Sequence, residues 1–203
     1  DQLLNTNRGN HICLAHNGSG YDSRMIYNYL ATDRRELGVT SINNGSKFLE
    51  LCIKSPRPGN FIRFRDTLLH LPNSLRALAE AFNSNRKNKV EILKGHFPHL
   101  FSDVNYTGPI PDLKYFNTTF SCRTEKDYKE FIEYHKSWEG RTDWNYQEQH
   151  IKYCIEDVDC LEMIVKEVDL NNMEKYQLSQ WKFVTMPAFI SHAFKIWLTR
   201  LYD

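Results

Sequence analysis

The chain has 203 residues, of which 41% are hydrophobic and 25% are charged, and its formal net charge at pH 7 is +1. This length and composition indicate an ordered globular protein and exclude a flexible tail with too little apolar surface to fold. A net charge close to zero excludes a protein that coats nucleic acid through its total charge, although a local basic groove remains compatible with it. No segment has the roughly 18 consecutive apolar residues that cross a bilayer, so we expect a soluble protein.

Cysteine usage indicates the redox setting. The five cysteines are an odd number and include no CxxC pair, which argues against a disulfide framework and against a four-cysteine zinc site. We therefore expect a reducing compartment. The cysteines are Cys13, Cys52, Cys122, Cys154 and Cys160.

The first third of the chain is rich in predicted strands. His11–Ala15 is typical of a short buried strand, and after a glycine-containing turn an apolar-periodic helix runs from about Asp22 to Leu30. Lys47–Ile53 and Phe61–Arg65 are typical of strands, and the turn-forming residues between them predict a hairpin. A helix is predicted next at Ser74–Phe82.

The middle of the chain predicts an irregular segment followed by a helix. The residues from about 95 to 122 are rich in Pro, Gly, Asn and aromatic side chains, which is typical of a compact irregular insertion. Thr124 and Asp127 have the spacing of a capping box. We expect this box to open a helix that runs through His135.

Two further helices complete the fold prediction. One begins at Asp143 and runs to about Val168, and an amphipathic helix extends from Pro187 to Leu201. Strands followed by helices indicate an α/β fold with a mixed sheet flanked by helices. We expect one main domain over residues 1–170 and a helical connection over residues 171–203.

The turn before the first helix carries the first candidate site. It combines His16, Asn17, Tyr21 and Asp22, and it places a carboxylate where a strand leads into a helix. Such a turn lies at the edge of a sheet, where the helix N-terminus adds positive potential that favours a phosphate or an ionised carboxylate. Tyr21 has a ring that can stack on a base. Taken alone, Asp22 is also explained as a simple helix cap.

The second candidate site lies within the long predicted helix. Tyr153 and Asp157 are one turn apart and share a face that Cys160 continues, so we expect this face to point inward. An inward carboxylate needs a partner, and a divalent metal is one of the few that stabilise it well. Taken alone, the pair is also explained as a packing aromatic and a surface charge. We expect the neighbouring Glu156 and Asp159 to be surface residues.

Together the two segments resemble the second and third exonuclease motifs of family B DNA polymerases. Those motifs consist of Asn, a short gap, an aromatic residue and Asp, and of Tyr-x-x-x-Asp, and their order and wide separation also agree. Blocks between them are similar to the Asp-Ser-Leu and Leu-Pro segments of the protein-primed branch, and to the Lys-Gly-Tyr-Phe-Pro-His-Leu-Phe and Tyr-x-Gly-Pro-x-Pro blocks of mitochondrial linear plasmid polymerases. The matching blocks span residues 65–68, 71–75, 79–82, 93–101 and 106–112.

The resemblance implies a ribonuclease H-like (DnaQ-like) 3′–5′ exonuclease domain that removes the terminal nucleotide of single-stranded DNA during proofreading. In that family four carboxylates hold two Mg²⁺ or Mn²⁺ ions at the scissile phosphodiester. Asp22 and Asp157 match two of these ligands, and Tyr153 matches the tyrosine that orients the attacking water. Lys94 matches a lysine that offsets the charge developing on the phosphate.

The resemblance also implies how single-stranded DNA is held. Stacking and phosphate contacts would grip the frayed 3′ end without regard to its sequence, as proofreading requires. The positions that match this grip are His16, Asn17, Tyr21, Thr67 and Leu68.

The start of the chain departs from the family pattern. The first motif, Asp-x-Glu on the opening strand, supplies the other two carboxylates, whereas only Asp1 precedes the matched region and no Glu stands two residues after it. We therefore expect the first strand and half of the metal site to be missing, and the isolated chain to be inactive. Palm motifs are also absent, so the implied partners are the rest of the polymerase, a priming terminal protein and the 3′ end of single-stranded DNA.

Two other interpretations stay open. One is a decayed or domesticated exonuclease fold that acts as a non-catalytic nucleic-acid-binding or scaffold subunit of a larger assembly. The other is a stand-alone nuclease that another chain completes. By resemblance, the first expectation for location is a mitochondrial linear plasmid, and otherwise a cytoplasmic, viral or mobile-element setting.

Overall fold

The computed structural model describes residues 10–54, 59–84, 96–118, 122 and 124–202. Lys94 and Asp1 lie outside the described residues. The chain divides into two compact units, which we call the sheet unit (residues 1–85 with 163–203) and the aromatic unit (residues 86–162). The predicted α/β fold with a mixed sheet is confirmed.

A four-stranded sheet organises the sheet unit. Its strands are β1 (His11–Ala15), β2 (Gly38–Asn44), β3 (Lys47–Lys54) and β4 (Phe61–Asp66), in the spatial order β1-β4-β3-β2. β1 runs parallel to β4, whereas β4, β3 and β2 are antiparallel neighbours. The parallel register pairs Ala15 with Asp66, so both strands end at the same edge of the sheet.

The β3–β4 hairpin confirms the prediction, whereas β2 was not predicted. β2 is an edge strand with the sequence Gly-Val-Thr-Ser-Ile-Asn-Asn, and Val39 is its one residue that is not exposed. Such a segment lacks the apolar alternation that marks a half-buried strand. Its pairing with β3 follows from the tight turn at Gly45, whose φ of +56° suits glycine.

The described helices agree with the predicted ones in number and order, with shifted ends. The fourth helix, Tyr146–Tyr176, begins three residues later than predicted and ends eight residues later. The capping box of the third helix is confirmed, since the Asp127 amide donates to Thr124 Oγ1 at 3.1 Å and the Thr124 amide donates to Asp127 Oδ2 at 3.0 Å. The helices are α1 (Asp22–Asp33), α2 (Leu75–Ser84), α3 (Glu125–Lys136), α4 (Tyr146–Tyr176) and α5 (Met186–Tyr202).

Each unit has its own packing. In the sheet unit, aliphatic side chains of α1 and the strands form the core, with Leu51 fully buried at its centre. In the aromatic unit, Phe131 and Trp144 are the largest fully buried side chains. The described part of the predicted insertion, residues 96–118, is irregular apart from a 3-10 turn and the two-residue strand β5 (Thr107–Gly108), which pairs with β6 (Trp144–Asn145).

No helix among the described residues has the length and apolar character needed to span a bilayer.

Candidate active site

Residues 16–22 lead from the end of β1 to the first residue of α1 at the edge of the sheet, and we call this segment the strand-end loop. Asn17 has a φ of 66°, a left-handed conformation that a short polar side chain tolerates better than most. A Cβ added at Gly18 would lie 2.9 Å from Ala15 Cβ, so the close approach of this turn to β1 requires glycine. The Gly18 carbonyl accepts from the Ser23 amide at 3.0 Å, which ties the turn to the first turn of α1.

Asp66, the last residue of β4, holds this loop in place. Its carboxylate accepts from the amide of Asn17 at 2.7 Å, from that of Ser19 at 3.1 Å and from that of Leu68 at 2.8 Å. The side chain is almost completely buried, with 1% of its surface exposed. A buried carboxylate needs hydrogen-bond donors to replace water, and these three amides supply them.

His16 makes the reciprocal link from β1 to the turn after β4. Its Nδ1 lies 2.9 Å from Thr67 Oγ1, and its Nε2 donates to the Asn73 carbonyl at 2.8 Å. Thr67 is buried, and its hydroxyl also lies 3.3 Å from the Ala15 carbonyl. Both ring nitrogens of His16 and the Thr67 hydroxyl are thus engaged within the protein, and Leu68 is half-buried beside them.

Tyr21 and Asp22 present their side chains to solvent. Tyr21 is 68% exposed and occupies the cap position of α1, while Asp22 is the first helical residue. The simple explanation of Asp22 as the helix cap is therefore wrong. A carboxylate in the first turn of a helix is favoured by the positive end of the helix dipole. The Asp22 side chain also lies close to Gly18, since a Cβ added there would be 3.6 Å from Asp22 Oδ2.

Tyr153 and Asp157 lie together on α4, in the aromatic unit. The rings of Phe97 and His99 pack against Tyr153 with centroid distances of 5.7 and 5.3 Å. Burial, the negative charge of Asp157 and hydrogen bonding with its carboxylate raise the pKa of Tyr153 well above the usual range of a tyrosine. The hydroxyl therefore keeps its proton and donates it in a hydrogen bond to the Asp157 carboxylate, and its oxygen can accept a further hydrogen bond.

A recess of about 30 Å³ lies beside Tyr153 in the aromatic unit. One of its walls is Glu156, whose side chain is 16% exposed and whose Oε2 is buried without a hydrogen-bond partner among the described residues. The prediction that Glu156 is a surface residue is therefore wrong, whereas Asp159 is exposed as expected. The recess is lined by His96, Tyr134, Gln149, Lys152, Tyr153 and Glu156.

The predicted site residues thus fall into two groups. The sheet unit brings together the strand-end loop and the turn after β4, and the aromatic unit brings Tyr153 next to Asp157. Carboxylate oxygens such as those of Asp22 and Asp157 are the donors that Mg²⁺ and Mn²⁺ prefer, so the donor chemistry fits these ions. Within the described ranges, no cluster of three or more His, Cys, Asp or Glu side chains is arranged to hold a metal ion.

Asp66 and Glu156 are the two residues whose surroundings the sequence did not reveal. A signal for Asp66 was present, because it ends a predicted strand directly before Thr67 and Leu68, the positions matched to DNA binding. Recognising its role required the parallel pairing of β1 with β4, which places residues 49 apart in sequence within hydrogen-bonding distance. Glu156 carries no such signal, because the recess forms only where His96 and Tyr134, which lie outside α4, pack beside it.

Comparison with known proteins adds a family relationship. A family model described as organellar and viral DNA polymerase type B matches residues 3–203. A probable DNA polymerase of Neurospora intermedia is 30% identical over 191 residues, which are 89% of this chain and 18% of the relative. A probable DNA polymerase of Ascobolus immersus is 32% identical over 170 residues, which are 78% of this chain and 13% of the relative. The chain spans less than a fifth of these relatives, and no solved structure matches it significantly.

Proposed function

The chain belongs to the organellar and viral type B DNA polymerases, and from that premise we propose that it is the 3′–5′ exonuclease part of a protein-primed polymerase. Its substrate is the 3′-terminal nucleotide of single-stranded DNA, and the reaction is hydrolysis with two divalent metal ions. The proposal includes a ribonuclease H-like arrangement of the sheet, to which the parallel pairing of β1 and β4 lends support. A polymerase family implies DNA as a partner.

The observation that carries the proposal is the Tyr153–Asp157 pair. A tyrosine whose hydroxyl stays protonated beside a carboxylate is suited to hold a water molecule through one hydrogen bond while the carboxylate accepts another. Its ring is fixed by Phe97 and His99, so the hydroxyl has a defined direction. Lys94, which lies outside the described residues, remains the proposed cation that offsets charge on the phosphate.

Asp22 and Asp157 are the proposed metal ligands. When bound, Mg²⁺ or Mn²⁺ would stabilise the attacking hydroxide and the departing 3′ oxygen. The two carboxylates form an incomplete ligand set, because hard divalent ions take six or more oxygen ligands, several of them charged in tight sites. The proposal therefore requires further carboxylates, such as those of an Asp-x-Glu motif, in the active protein.

The strand-end loop is the proposed grip for the 3′ end. Tyr21 offers an exposed ring for stacking, and Asn17 offers an exposed amide side chain next to it. His16 can contribute its ring but not its nitrogens, which already bind Thr67 and Asn73. The Thr67 hydroxyl likewise forms its hydrogen bonds within the protein. Thr67 and Leu68 therefore contribute by supporting the surface that the strand-end loop presents to DNA.

The proposal extends to the setting of the protein. The organellar and viral character of the family is consistent with replication of a mitochondrial linear plasmid or a related mobile element. In that setting the polymerase palm would be covalently linked to this region, and a terminal protein would prime synthesis.

The test is digestion of a 5′-labelled single-stranded oligonucleotide with Mg²⁺ by the full-length protein that its gene encodes. We expect Asp157→Ala to slow shortening from the 3′ end by at least ~10²-fold, because metal stabilisation of the transition state contributes several kcal/mol. Asp159→Ala is the matched control, since this carboxylate lies two residues along the same helix and is exposed.

Equal trimming by wild type and Asp157→Ala would show that the assignment of the site is wrong. Absence of trimming by the wild type, together with binding of single-stranded DNA, would instead support the non-catalytic binding subunit.

A further inference from the structure

We propose that Asp66 is a positioning residue that fixes the strand-end loop in the shape that receives the 3′ end of single-stranded DNA. This inference rests on the proposed function, because it assigns a task to the same surface. It adds a residue that makes no contact with DNA itself, since its side chain is almost completely buried.

The three amides that donate to Asp66 come from two separate segments. Asn17 and Ser19 belong to the loop after β1, whereas Leu68 belongs to the turn after β4. One carboxylate therefore joins the ends of two parallel neighbouring strands, whose last residues pair with each other. The loop and the turn, which carry all the residues proposed to grip DNA, consequently share one rigid support.

Ordinary helix capping explains only one of the three bonds to Asp66. Asp66 is the cap of the three-residue 3-10 turn Thr67–Leu69, and the bond from the Leu68 amide satisfies that task. The two remaining bonds come from residues 49 and 47 positions away. A helix cap needs only donors close in sequence, so the two long-range hydrogen bonds require another explanation.

The bonds to Asp66 also maintain an unusual backbone conformation. Asn17 adopts a left-handed φ of 66°, which costs free energy unless the surroundings hold it. The bond from its amide to Asp66, at 2.7 Å, holds the backbone at this residue. Tyr21 and Asp22 follow within five residues. Because the ring of Tyr21 is exposed, its direction is set by the conformation of the backbone that precedes it.

His16 makes a reciprocal link in the opposite direction. Its ring reaches Thr67 and Asn73 on the β4 side, so each strand end sends one side chain across to the other. Two opposed links resist sliding of one strand end against the other. Loss of the Asp66 carboxylate leaves the His16 link in place. The sheet should therefore persist, while residues 17–19 lose the two hydrogen bonds that fix their backbone.

The experiment compares Asp66→Asn with wild type in the 203-residue chain. The amide keeps the size of the side chain but presents an NH₂ group to one of the backbone donors. We expect amide hydrogen exchange at Asn17 and Ser19 to become at least about tenfold faster, because hydrogen bonds to charged acceptors are among the strongest in proteins. Binding of a 5′-fluorescein-labelled oligothymidylate without divalent metal should weaken by at least about tenfold.

Glu50→Gln is the matched control. Glu50 is also a buried carboxylate of the same sheet, and it accepts from Arg65 Nε on β4. We expect this variant to lower thermal stability while leaving exchange at Asn17 and Ser19 and the affinity for the oligonucleotide within about twofold of wild type. If Asp66→Asn does not fold, Asp66→Glu keeps the charge with one more methylene group and should shift the same two readouts in the same direction.

The outcomes separate the inference from the function on which it rests. Unchanged exchange at Asn17 and Ser19 in the Asp66 variants would overturn the positioning role. Faster exchange with unchanged oligonucleotide affinity would overturn the link between this loop and DNA. A wild-type chain that does not bind the oligonucleotide would count against the proposed function, and the exchange measurement would still decide whether Asp66 fixes the loop.

Discussion

The strand-end loop and the surroundings of Tyr153 are held by different kinds of contact. In the loop, a buried carboxylate and a histidine ring form short, directed hydrogen bonds with groups about 50 residues away. Around Tyr153, stacked and edge-to-face rings of Phe97, His99, Tyr146 and His150 supply the packing. A hydrogen bond fixes an angle, whereas ring packing fills a volume.

This difference predicts which substitutions each region tolerates. The loop should respond to changes at its hydrogen-bonded groups and at its close backbone contacts, and the Tyr153 region should respond mainly to changes that remove ring volume. Three substitutions test this contrast, beginning with the largest expected effect.

Phe97→Ala should cost about 3–5 kcal/mol of unfolding free energy, because it removes a buried ring that touches four other rings. Urea unfolding followed by circular dichroism measures the loss. Leu100→Ala is the control, since Leu100 is exposed three residues further on and should cost less than about 0.5 kcal/mol. A loss below about 1 kcal/mol for Phe97→Ala would mean that ring packing is not the main support of this region.

Gly18→Ala should cost about 1–3 kcal/mol, because its Cβ would lie 2.9 Å from that of Ala15 and the loop would have to move. Gly20→Ala in the same loop is the control, since its Cβ would meet its neighbours at an ordinary distance of 3.8 Å. The same unfolding measurement compares the two. Equal losses in both variants would show that the contact with Ala15 does not define the loop.

Tyr153→Phe should have the smallest effect, and it should change the pH dependence of stability only above pH about 10. The pKa of Tyr153 is raised in the folded state above its unfolded value of about 10, so the native chain keeps a proton that the unfolded chain loses. Its contribution to stability is therefore complete below pH about 10 and is lost as the pH rises above that value.

The expected loss between pH 10 and 11 is about 0.5 kcal/mol, since Tyr153 is only half-buried and solvent screens part of the effect. Urea unfolding at several pH values should show a shallower decline in Tyr153→Phe than in wild type. Tyr21→Phe, at an exposed position, should follow wild type. A decline that is identical in all three proteins would place the Tyr153 hydroxyl in a solvent-like environment.

The sequence predicted the elements whose signal is local. The β3–β4 hairpin, the capping box of α3 and the helical spacing of Tyr153 and Asp157 depend on residues close together in the chain. β2 escaped prediction because an exposed edge strand is stabilised by pairing with β3 and not by its own apolar pattern. The end of α4 was predicted too early, because the apolar residues after Val168, namely Leu170, Met173 and Tyr176, are few and exposed among polar ones.

The candidate site was predictable in its residues and only partly in its geometry. Motif resemblance identified Asp22, Tyr153 and Asp157 without indicating what surrounds them. The burial of Thr67 and the engagement of both nitrogens of His16 arise from contacts across more than 50 residues, which no local pattern encodes. The recess beside Glu156 has the same origin, because several separate segments of the aromatic unit build it.

The parallel pairing of β1 with β4 has a consequence for the order of folding. The antiparallel pairs β2–β3 and β3–β4 join neighbouring segments, whereas His16 meets Thr67 across 51 positions of the chain. Contacts between distant segments form slowly, because the entropy of closing the intervening loop is lost before the contact stabilises it. We therefore expect the hairpins to form first and β1 to dock last. During synthesis, the strand-end loop gains its shape only after the ribosome has released the residues up to Asn73.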